Sequence, residues 1–332
     1  MTLTTAPATG PGAPPVATTA RRPRIAVRPL LQRNGLLLFL VLLLLIFTAV
    51  RPEFLSQANI RNIFLSASVV GILAVGQTIV MLTGGFDLSV AKTAVFAGMV
   101  VALAAGAGPV AILLAVVAAA LVGLVNGTLI SRARVNPFVV TLGMFTILTS
   151  VALLVNDGGS VGGLPTWLAG VTSWNIVGVP GIVFWFLTVA VLTHVLLAHT
   201  RFGRHVYAVG GNPEASRLAG IKVNRVLTLV YVLCSIAAGI SGVLLTARLG
   251  TASPVALPAA ELDAIAAVII GGTRLAGGFG SVPRTVLGVI VLSALSSGMI
   301  LLGISTYWQG LFKGAIIILA VGVDVLVSAK RR

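Results

Sequence analysis

The chain has 332 residues, of which 58% are hydrophobic and only 9% are charged, and its mean hydropathy is +1.10. Soluble domains carry about 25% charged residues, so this composition excludes a soluble globular protein. The formal net charge is +15, but the basic residues lie at the ends of apolar runs without an aromatic RNA-binding module, which argues against a nucleic-acid partner. Long apolar runs interrupted by glycine predict an all-α, polytopic helical membrane protein.

Residues 1–34 precede the first apolar run, and their composition predicts a disordered, basic tail. Residues 1–20 are rich in Thr, Ala, Pro and Gly and carry no charged side chain, so they cannot form an apolar core. Five arginines follow before residue 35. A secretory signal would place its apolar region nearer the start, so we predict an uncleaved first span and a cytoplasmic N-terminus.

Residues 35–332 are predicted to form a transmembrane domain of about ten helices. Each apolar run is bounded by polar or glycine-rich sequence, and the eighth run is the shortest. Gly123 and Gly127, one helical turn apart, permit the close approach of another helix. The ten predicted spans are Leu36–Val50, Ile60–Leu82, Leu88–Ala105, Val110–Ile130, Phe138–Val155, Ile182–Ala198, Val226–Thr246, Leu262–Ile270, Thr285–Leu302 and Tyr307–Ser328.

The distribution of basic residues predicts the orientation of these spans. Eighteen of the 22 Lys and Arg residues fall on the side that holds the N-terminus, and Lys313 lies within a span. The opposite side receives only Arg51, Arg61 and Arg248. Because cytoplasmic loops carry an excess of Lys and Arg, both termini and the loop 200–225 are predicted to be cytoplasmic.

Polar residues within or beside the spans are sparse and mostly neutral. Asp87 follows paired glycines that predict a break between two helices, so it is either a helix N-cap near the cytoplasmic surface or a ligand for the substrate. The neutral residues either form interhelical hydrogen bonds or line a translocation pathway. The candidate pathway residues are Gln77, Asp87, Asn126, Thr141, Thr146 and Ser150.

Residues 156–178 form the longest predicted external segment. Trp167 and Trp174 suit the membrane–water interface, so anchoring is one interpretation of this segment. The other interpretation is a surface that receives a partner, or a gate over the pathway.

The loop 200–225 is the most polar part of the membrane domain and carries a predicted docking helix. Asn212 can cap a helix, Pro213 suits its first position, and Glu214 favours its positive end. Gly220 is placed to end the helix in a left-handed conformation. The predicted helix, Pro213–Ala219, is too short to be stable alone in water. Its exposed stripe would comprise Ala215, Leu218 and Ala219, beside Glu214 and Arg217.

Nucleophilic and ionisable residues do not combine into a catalytic or metal site. Cys234 is the only cysteine, and none of the three histidines follows Ser241, whose Gly-Ile-Ser-Gly context is that of intramembrane serine proteases. Lys313 and Asp324 share the last span but lie about 16 Å apart, too far to pair. No Walker A motif is present, so this chain is not expected to bind ATP itself. Because no catalytic or metal-binding combination is found, we also expect it to hold no metal ion and not to be an enzyme.

Five sequence blocks together resemble the permease subunit of ribose-type ABC sugar importers, within the branched-chain amino acid and ribose permease superfamily. The resemblance covers the chain from about residue 35 to its end. The blocks are GGFDLSV at 84–90, NGTLISRARVNPFVVTLG at 126–143, GRHVYAVGGNPEASRLAGI at 203–221, ELDAIAAVIIGGTRLAGGFGS at 261–281 and STYWQGLFKGAIIILAVGVD at 305–324.

The resemblance implies a type II-like permease in the bacterial inner membrane that imports a ribose-like sugar. It implies a second permease subunit, a cytoplasmic ATPase that holds ATP and Mg²⁺, and an external sugar-binding protein. The coupling helix of the family falls on residues 212–220, namely Asn212, Pro213, Glu214, Ala215, Arg217, Leu218, Ala219 and Gly220, with Ser216 between them. Three alternatives stay open: a permease for branched-chain amino acids, one for nucleosides, and an ion-driven secondary transporter.

Overall fold

The computed structural model describes residue 2, residues 27–305 and 307–315, and residues 318 and 322. For residues 27–34 it describes only the helical backbone. The chain divides into the units Met1–Gly35 and Leu36–Arg332. The α-helices of the described part are α1 (Val27–Val50), α2 (Gln57–Met81), α3 (Val90–Leu103), α4 (Val110–Ser131), α5 (Pro137–Leu154), α6 (Thr166–Gly170), α7 (Gly181–His199), α8 (Arg201–Gly211), α9 (Pro213–Leu218), α10 (Val223–Leu249), α11 (Ala260–Ile270) and α12 (Val282–Leu301).

Six of these helices are long and apolar enough to cross a membrane, namely α2, α4, α5, α7, α10 and α12. The prediction of an all-α, polytopic membrane protein is therefore confirmed, whereas the number of ten spans stays a prediction. α1 begins at Val27, inside the segment 1–34 that was expected to be disordered, and residues 3–26 lie outside the described part. The last predicted span, Tyr307–Ser328, is helical over 307–315. Of its remaining residues, the structure describes only 318 and 322.

α10 packs against α2, α3 and α4, and small residues on its neighbours bring the backbones together. A Cβ atom added at Gly123 of α4 would lie 2.5 Å from the Tyr231 carbonyl oxygen. One added at Gly127 would lie 2.7 Å from the Thr228 carbonyl oxygen, also on α10. The close approach predicted from the spacing of these two glycines is therefore confirmed, and its partner is α10.

Two apolar helices are too short to span a bilayer alone. α3 has 14 residues and α11 has 11, which correspond to about 21 and 17 Å against a hydrocarbon thickness of about 30 Å. Irregular segments, 82–89 and 271–281, join them to α2 and α12. Each of these two segments is therefore a turn between a short apolar helix and a helix long enough to cross the membrane.

The segment between α5 and α7 holds α6 and a small antiparallel hairpin of β1 (Asn175–Ile176) and β2 (Val179–Pro180). The indole N–H groups of Trp174 and Trp185 both donate to the Val171 carbonyl oxygen, at 3.0 and 3.1 Å. Trp174 also packs against Phe184. These contacts tie the segment to the start of α7.

Candidate functional site

α9 is the helix that the sequence predicts in the loop 200–225. The Asn212 side-chain oxygen accepts a hydrogen bond from the Ala215 N–H at 3.0 Å, and Pro213 occupies the first turn. Gly220 follows with φ of +80°, and its N–H donates to the Arg217 carbonyl oxygen at 2.9 Å. Local sequence thus specifies both ends of α9, because each end has a residue that satisfies backbone groups left free by the helix.

One side of α9 faces outward and the other faces the protein. Leu218 is 91% exposed, whereas Ser216 is 4% exposed and its hydroxyl donates to the Asn212 carbonyl oxygen. Glu214 and Arg217 form an ion pair on the outer side. We call the outward apolar surface the docking face; its residues are Ala215, Leu218 and Ala219, all exposed.

The part of the loop 200–225 that precedes α9 forms an amphipathic helix, α8, which the sequence analysis did not predict. The Thr200 hydroxyl accepts a hydrogen bond from the Gly203 N–H at 3.2 Å and so caps its start. Phe202 is half-buried, and Val206 and Val209 are buried. The spacing of these three apolar residues, after a threonine, was the available signal for a helix.

Backbones from three separate parts of the chain touch directly at the last turn of α8. The Gly278 N–H donates to the Leu82 carbonyl oxygen at 2.9 Å. A Cβ atom added at Gly210 of α8 would overlap that same carbonyl oxygen, and one added at Gly277 would lie 2.6 Å from the Gly84 nitrogen. We call this cluster the glycine junction; it joins α8 to the segments 82–89 and 271–281.

A tyrosine hydrogen bond strengthens the glycine junction. The Tyr207 hydroxyl of α8 donates to the Gly280 carbonyl oxygen at 2.9 Å. Burial raises the pKa of Tyr207 above its usual value, so the phenol stays protonated and remains a donor. Gly277 and Gly278 have φ of +83° and +72°, a region that side-chain-bearing residues rarely adopt. The segment 271–281 can therefore take this shape beside α8 because glycine occupies both positions.

The segment 82–89 also carries a buried polar cluster. One Asp87 carboxylate oxygen accepts hydrogen bonds from the Ser89 N–H at 2.8 Å and from the Ser89 hydroxyl at 2.6 Å. The Asn126 amide of α4 donates to the Ser89 hydroxyl oxygen at 3.0 Å. In the orientation that satisfies its neighbours, the Gln77 side chain accepts from the Asp87 N–H at 2.9 Å. Three of the candidate pathway residues, Gln77, Asp87 and Asn126, are thus brought together.

Asp87 does not occupy the helix N-cap position that the sequence predicted for it. The cap position of α3 is Ser89, and the Asp87 side chain is completely buried. The second Asp87 carboxylate oxygen and the Asn126 side-chain oxygen have no hydrogen-bond partner among the described residues. The paired glycines correctly predicted the break between α2 and α3, but α3 begins at Val90, three residues beyond Asp87.

The other three candidate pathway residues lie on α5. Thr141 is buried and its hydroxyl donates to the Pro137 carbonyl oxygen at 2.8 Å. Thr146 is exposed and its hydroxyl donates to the Leu142 carbonyl oxygen at 3.1 Å. Ser150 is exposed as well. Among the described residues, no hydrogen bond connects these side chains to Asp87 or its neighbours.

Two further residues have structural contacts that the sequence did not indicate. The Ser241 hydroxyl is buried and donates to the Val69 carbonyl oxygen at 2.9 Å, which agrees with a structural rather than a nucleophilic role. Lys313 forms an ion pair with Asp263 of α11 at 2.9 Å. Asp324, the residue considered with Lys313 in the sequence, lies outside the described residues.

The six long apolar helices define a multi-pass membrane protein. A family model described as the permease component of the branched-chain amino acid transport system matches residues 59–321. The chain belongs to this family. Its resemblance to ribose-type ABC importer permeases is confirmed, and it is a transport component rather than an enzyme.

Curated relatives match nearly the whole chain. The ribose import permease protein of Escherichia coli (strain K12) is 39% identical over 302 residues, which cover 89% of this chain and 94% of the relative. The ribose import permease protein of Bacillus subtilis (strain 168) is 38% identical over 315 residues, covering 92% and 97%. The D-allose transport system permease protein of Escherichia coli (strain K12) is 35% identical over 302 residues, covering 90% and 93%. No solved structure matches the chain.

Proposed function

We propose that this chain is the permease subunit of an ABC importer that carries a ribose-like monosaccharide across the bacterial cytoplasmic membrane. The observation that carries the proposal is the 39% identity to a ribose import permease over 89% of the chain. A D-allose permease and a galactose/methyl galactoside import permease match over similar lengths. A monosaccharide is therefore the substrate class favoured by several relatives together.

In this proposal a separate cytoplasmic ATPase binds the docking face and holds ATP and Mg²⁺. The support is physical: α9 is capped at both ends, and Leu218 is 91% exposed on it. Glu214 and Arg217 lie beside the docking face and fix its register, while Asn212, Pro213 and Gly220 hold the helix shape. When the ATPase moves, α9 moves with it, and α8 transmits this motion to the glycine junction.

The glycine junction is continuous with the short helices α3 and α11 through the segments 82–89 and 271–281, which supports a route from ATP hydrolysis to the pathway. The segment 82–89 leads to Asp87 and α3, and the segment 271–281 leads to α12. In the described conformation Gln77, Asp87 and Asn126 are fully buried, so a solute would reach them only after the helices separate. Their hydrogen-bonding groups, and those of Thr141, Thr146 and Ser150 on α5, would then bind sugar hydroxyls weakly enough to release them.

An external solute-binding protein delivers the sugar in this proposal, and a second copy of the permease completes the channel. Both termini and the loop 200–225 face the cytoplasm, in agreement with the excess of basic residues there. Substrate specificity resides mainly in the binding protein, since the buried polar groups of the permease are few and mostly neutral.

Reconstitution in lipid vesicles tests this function. The chain is co-expressed with its ATPase and binding protein, and uptake of labelled ribose is measured with ATP inside the vesicles. We expect uptake to require ATP and to persist when the proton gradient is collapsed. Uptake that follows the gradient without ATP would instead establish a secondary transporter.

The family description itself supports a second candidate, a permease for branched-chain amino acids. Competition separates the two candidates in the same vesicles. Unlabelled ribose, allose or galactose should reduce the uptake of labelled ribose, whereas leucine and a nucleoside should not. Uptake of labelled leucine in place of ribose would favour the second candidate.

A further inference from the structure

A cavity with one basic and one apolar wall lies where α8, α9 and α10 meet. Its volume is about 370 Å³, within the roughly 300–1,000 Å³ that is usual for ligand pockets. The basic wall consists of His205 on α8, Lys222 at the N-cap of α10 and Arg225 in the first turn of α10. The apolar wall includes Phe202 on α8 and Leu229 on α10. We call this cavity the basic notch.

The basic notch lies at a membrane boundary. α10 is long and apolar enough to cross a membrane, and the notch contacts only its first two turns. α8 forms the facing wall and is amphipathic, since Val206 and Val209 are buried whereas Arg204 and His205 are exposed. Amphipathic helices with a basic face lie in the plane of the membrane interface. The notch is therefore at the level of lipid headgroups, and Leu229 is exposed one turn further into the span.

The loop that forms the notch provides no carboxylate for its basic residues. Glu214 is the only acidic residue between positions 200 and 225, and it pairs with Arg217. The other ion pair among the described residues joins Lys313 to α11. Neither pair neutralises Lys222 or Arg225, and both of these side chains are exposed. The described part of the chain thus presents the notch with two uncompensated positive charges.

The two walls together select an anionic phospholipid. Arg and Lys both bind phosphate oxygens, Arg through its planar fork of N–H groups and Lys as a compact charge. A soluble phosphate would leave the apolar wall in contact with water, whereas an acyl chain would cover Phe202 and Leu229. A zwitterionic lipid offers the same phosphate, but its own cation offsets the charge. Basic pockets between membrane helices are accordingly suited to anionic headgroups.

We propose that the basic notch binds an anionic phospholipid, with the headgroup phosphate on Lys222 and Arg225 and an acyl chain along Phe202 and Leu229. Ala219, at the end of α9, lines the same notch, so the bound lipid would contact α8, α9 and α10 together. In the importer such a lipid would favour motion of the docking face together with α10. That consequence rests on the proposed function, whereas lipid binding itself does not depend on the transported solute.

Thermal unfolding of the purified full chain tests the site. Phosphatidylglycerol or phosphatidylcholine is added to the chain in neutral detergent, and the rise in Tm is compared between the two lipids. We expect a larger rise with phosphatidylglycerol, and we expect this difference to fall by more than half in K222Q/R225Q and at about 300 mM salt. R132Q/R134Q is the matched control, because it removes two exposed arginines that do not line the notch. It should keep the full difference.

Leu229→Asn separates a lipid from a soluble phosphate. It removes part of the apolar wall at an exposed position, so it should reduce the effect of phosphatidylglycerol, while inorganic phosphate alone should raise Tm little. If inorganic phosphate without lipid raises Tm as much as phosphatidylglycerol does, the notch binds a free anion and the lipid proposal is wrong. The proposal is equally wrong if K222Q/R225Q keeps the full difference, or if R132Q/R134Q loses as much.

The comparison isolates lipid binding from other effects. Each variant is compared with itself in the two lipids, so a change in its intrinsic stability does not alter the outcome. The ATPase and the binding protein take no part in these measurements. A failure of the importer proposal would therefore appear in the uptake experiments and leave the result on the basic notch unchanged.

Discussion

Leu218 and Ser216 lie two positions apart on α9, yet Leu218 is 91% exposed and Ser216 is 4% exposed. The Ser216 hydroxyl is satisfied within the helix by its hydrogen bond to the Asn212 carbonyl oxygen. The Glu214–Arg217 ion pair is exposed, so water screens it and its contribution to any interface is at most about 1 kcal/mol. Leu218 is therefore the residue of α9 with the most binding free energy to gain from a partner.

The first residue-scale prediction is that Leu218→Asp uncouples the importer. Burying a leucine side chain contributes about 1.5–3 kcal/mol, and the substitution also forces a charge into an apolar cleft. We expect the membrane domain to insert normally, while co-purification of the ATPase and sugar-stimulated ATP hydrolysis are lost. Pull-down and hydrolysis assays on the assembled complex measure both effects.

Glu214→Gln is the matched control on the same helix. It removes one charge of an exposed pair and should leave uptake within about twofold of the unmodified importer, since such pairs contribute little. Normal transport by Leu218→Asp with its ATPase bound would mean that α9 is not the coupling element. The loop 200–225 would then serve only to fix topology through its positive charge.

At the scale of elements, α8 meets two irregular segments with almost no side-chain atoms between the backbones. Gly210 and Gly211 are adjacent on α8 but differ in their surroundings. A Cβ atom at Gly210 would overlap the Leu82 carbonyl oxygen, whereas one at Gly211 would meet nothing within 4 Å. Since two backbones in direct contact cannot move independently, α8 and the segments 82–89 and 271–281 should shift together.

The element-scale prediction compares Gly210→Ala with Gly211→Ala. Alanine is about 1 kcal/mol more favourable than glycine within a helix, so helix propensity alone predicts that both substitutions stabilise α8. At residue 210 alone the added methyl group forces the glycine junction apart, which costs about 1–3 kcal/mol. We expect Gly210→Ala to lower Tm and to reduce uptake while the ATPase stays bound, and Gly211→Ala to do neither. Thermal unfolding, pull-down and uptake measure these effects, and equal behaviour of the two variants would contradict the close contact.

At the scale of the whole molecule, α10 connects the proposed cytoplasmic and external surfaces. It begins just after α9 and ends near Arg248, and it packs on α2, α3 and α4 between these ends. Its contacts with α4 include close backbone approaches at Gly123 and Gly127. Small residues at helix interfaces favour such close packing in a membrane, where apolar surface alone gives helices little reason to associate.

The whole-molecule prediction concerns orientation in the membrane. In a Cys234→Ala background, a cysteine at Ser160 should react with an impermeant thiol reagent in intact cells. A cysteine at Ala215 should react only after the membrane is opened. Ala215 is the suitable reporter because it is exposed, whereas the neighbouring Ser216 is buried. Reaction of the Ala215 cysteine in sealed cells would overturn the topology.

Local sequence signals predicted those features that depend on near neighbours along the chain. The caps of α9 involve residues within four positions of one another, and apolar runs reveal long helices because a membrane requires them. The amphipathic α8 was missed because a glycine-rich, arginine-rich stretch obscured its apolar spacing. The ion pair of Lys313 with Asp263 was missed because these residues are distant in sequence and meet only in the fold.

Composition and capping, which act locally, were sufficient to predict a helical membrane protein with a short capped helix in the loop 200–225. Long-range packing was needed to show where the polar residues meet. It placed Gln77, Asp87 and Asn126 in one buried cluster, because α2, α4 and the segment 82–89 converge there, and left Thr146 and Ser150 exposed on α5. The glycine junction likewise depends on three segments far apart in the chain, whose backbones approach because no side chain stands between them.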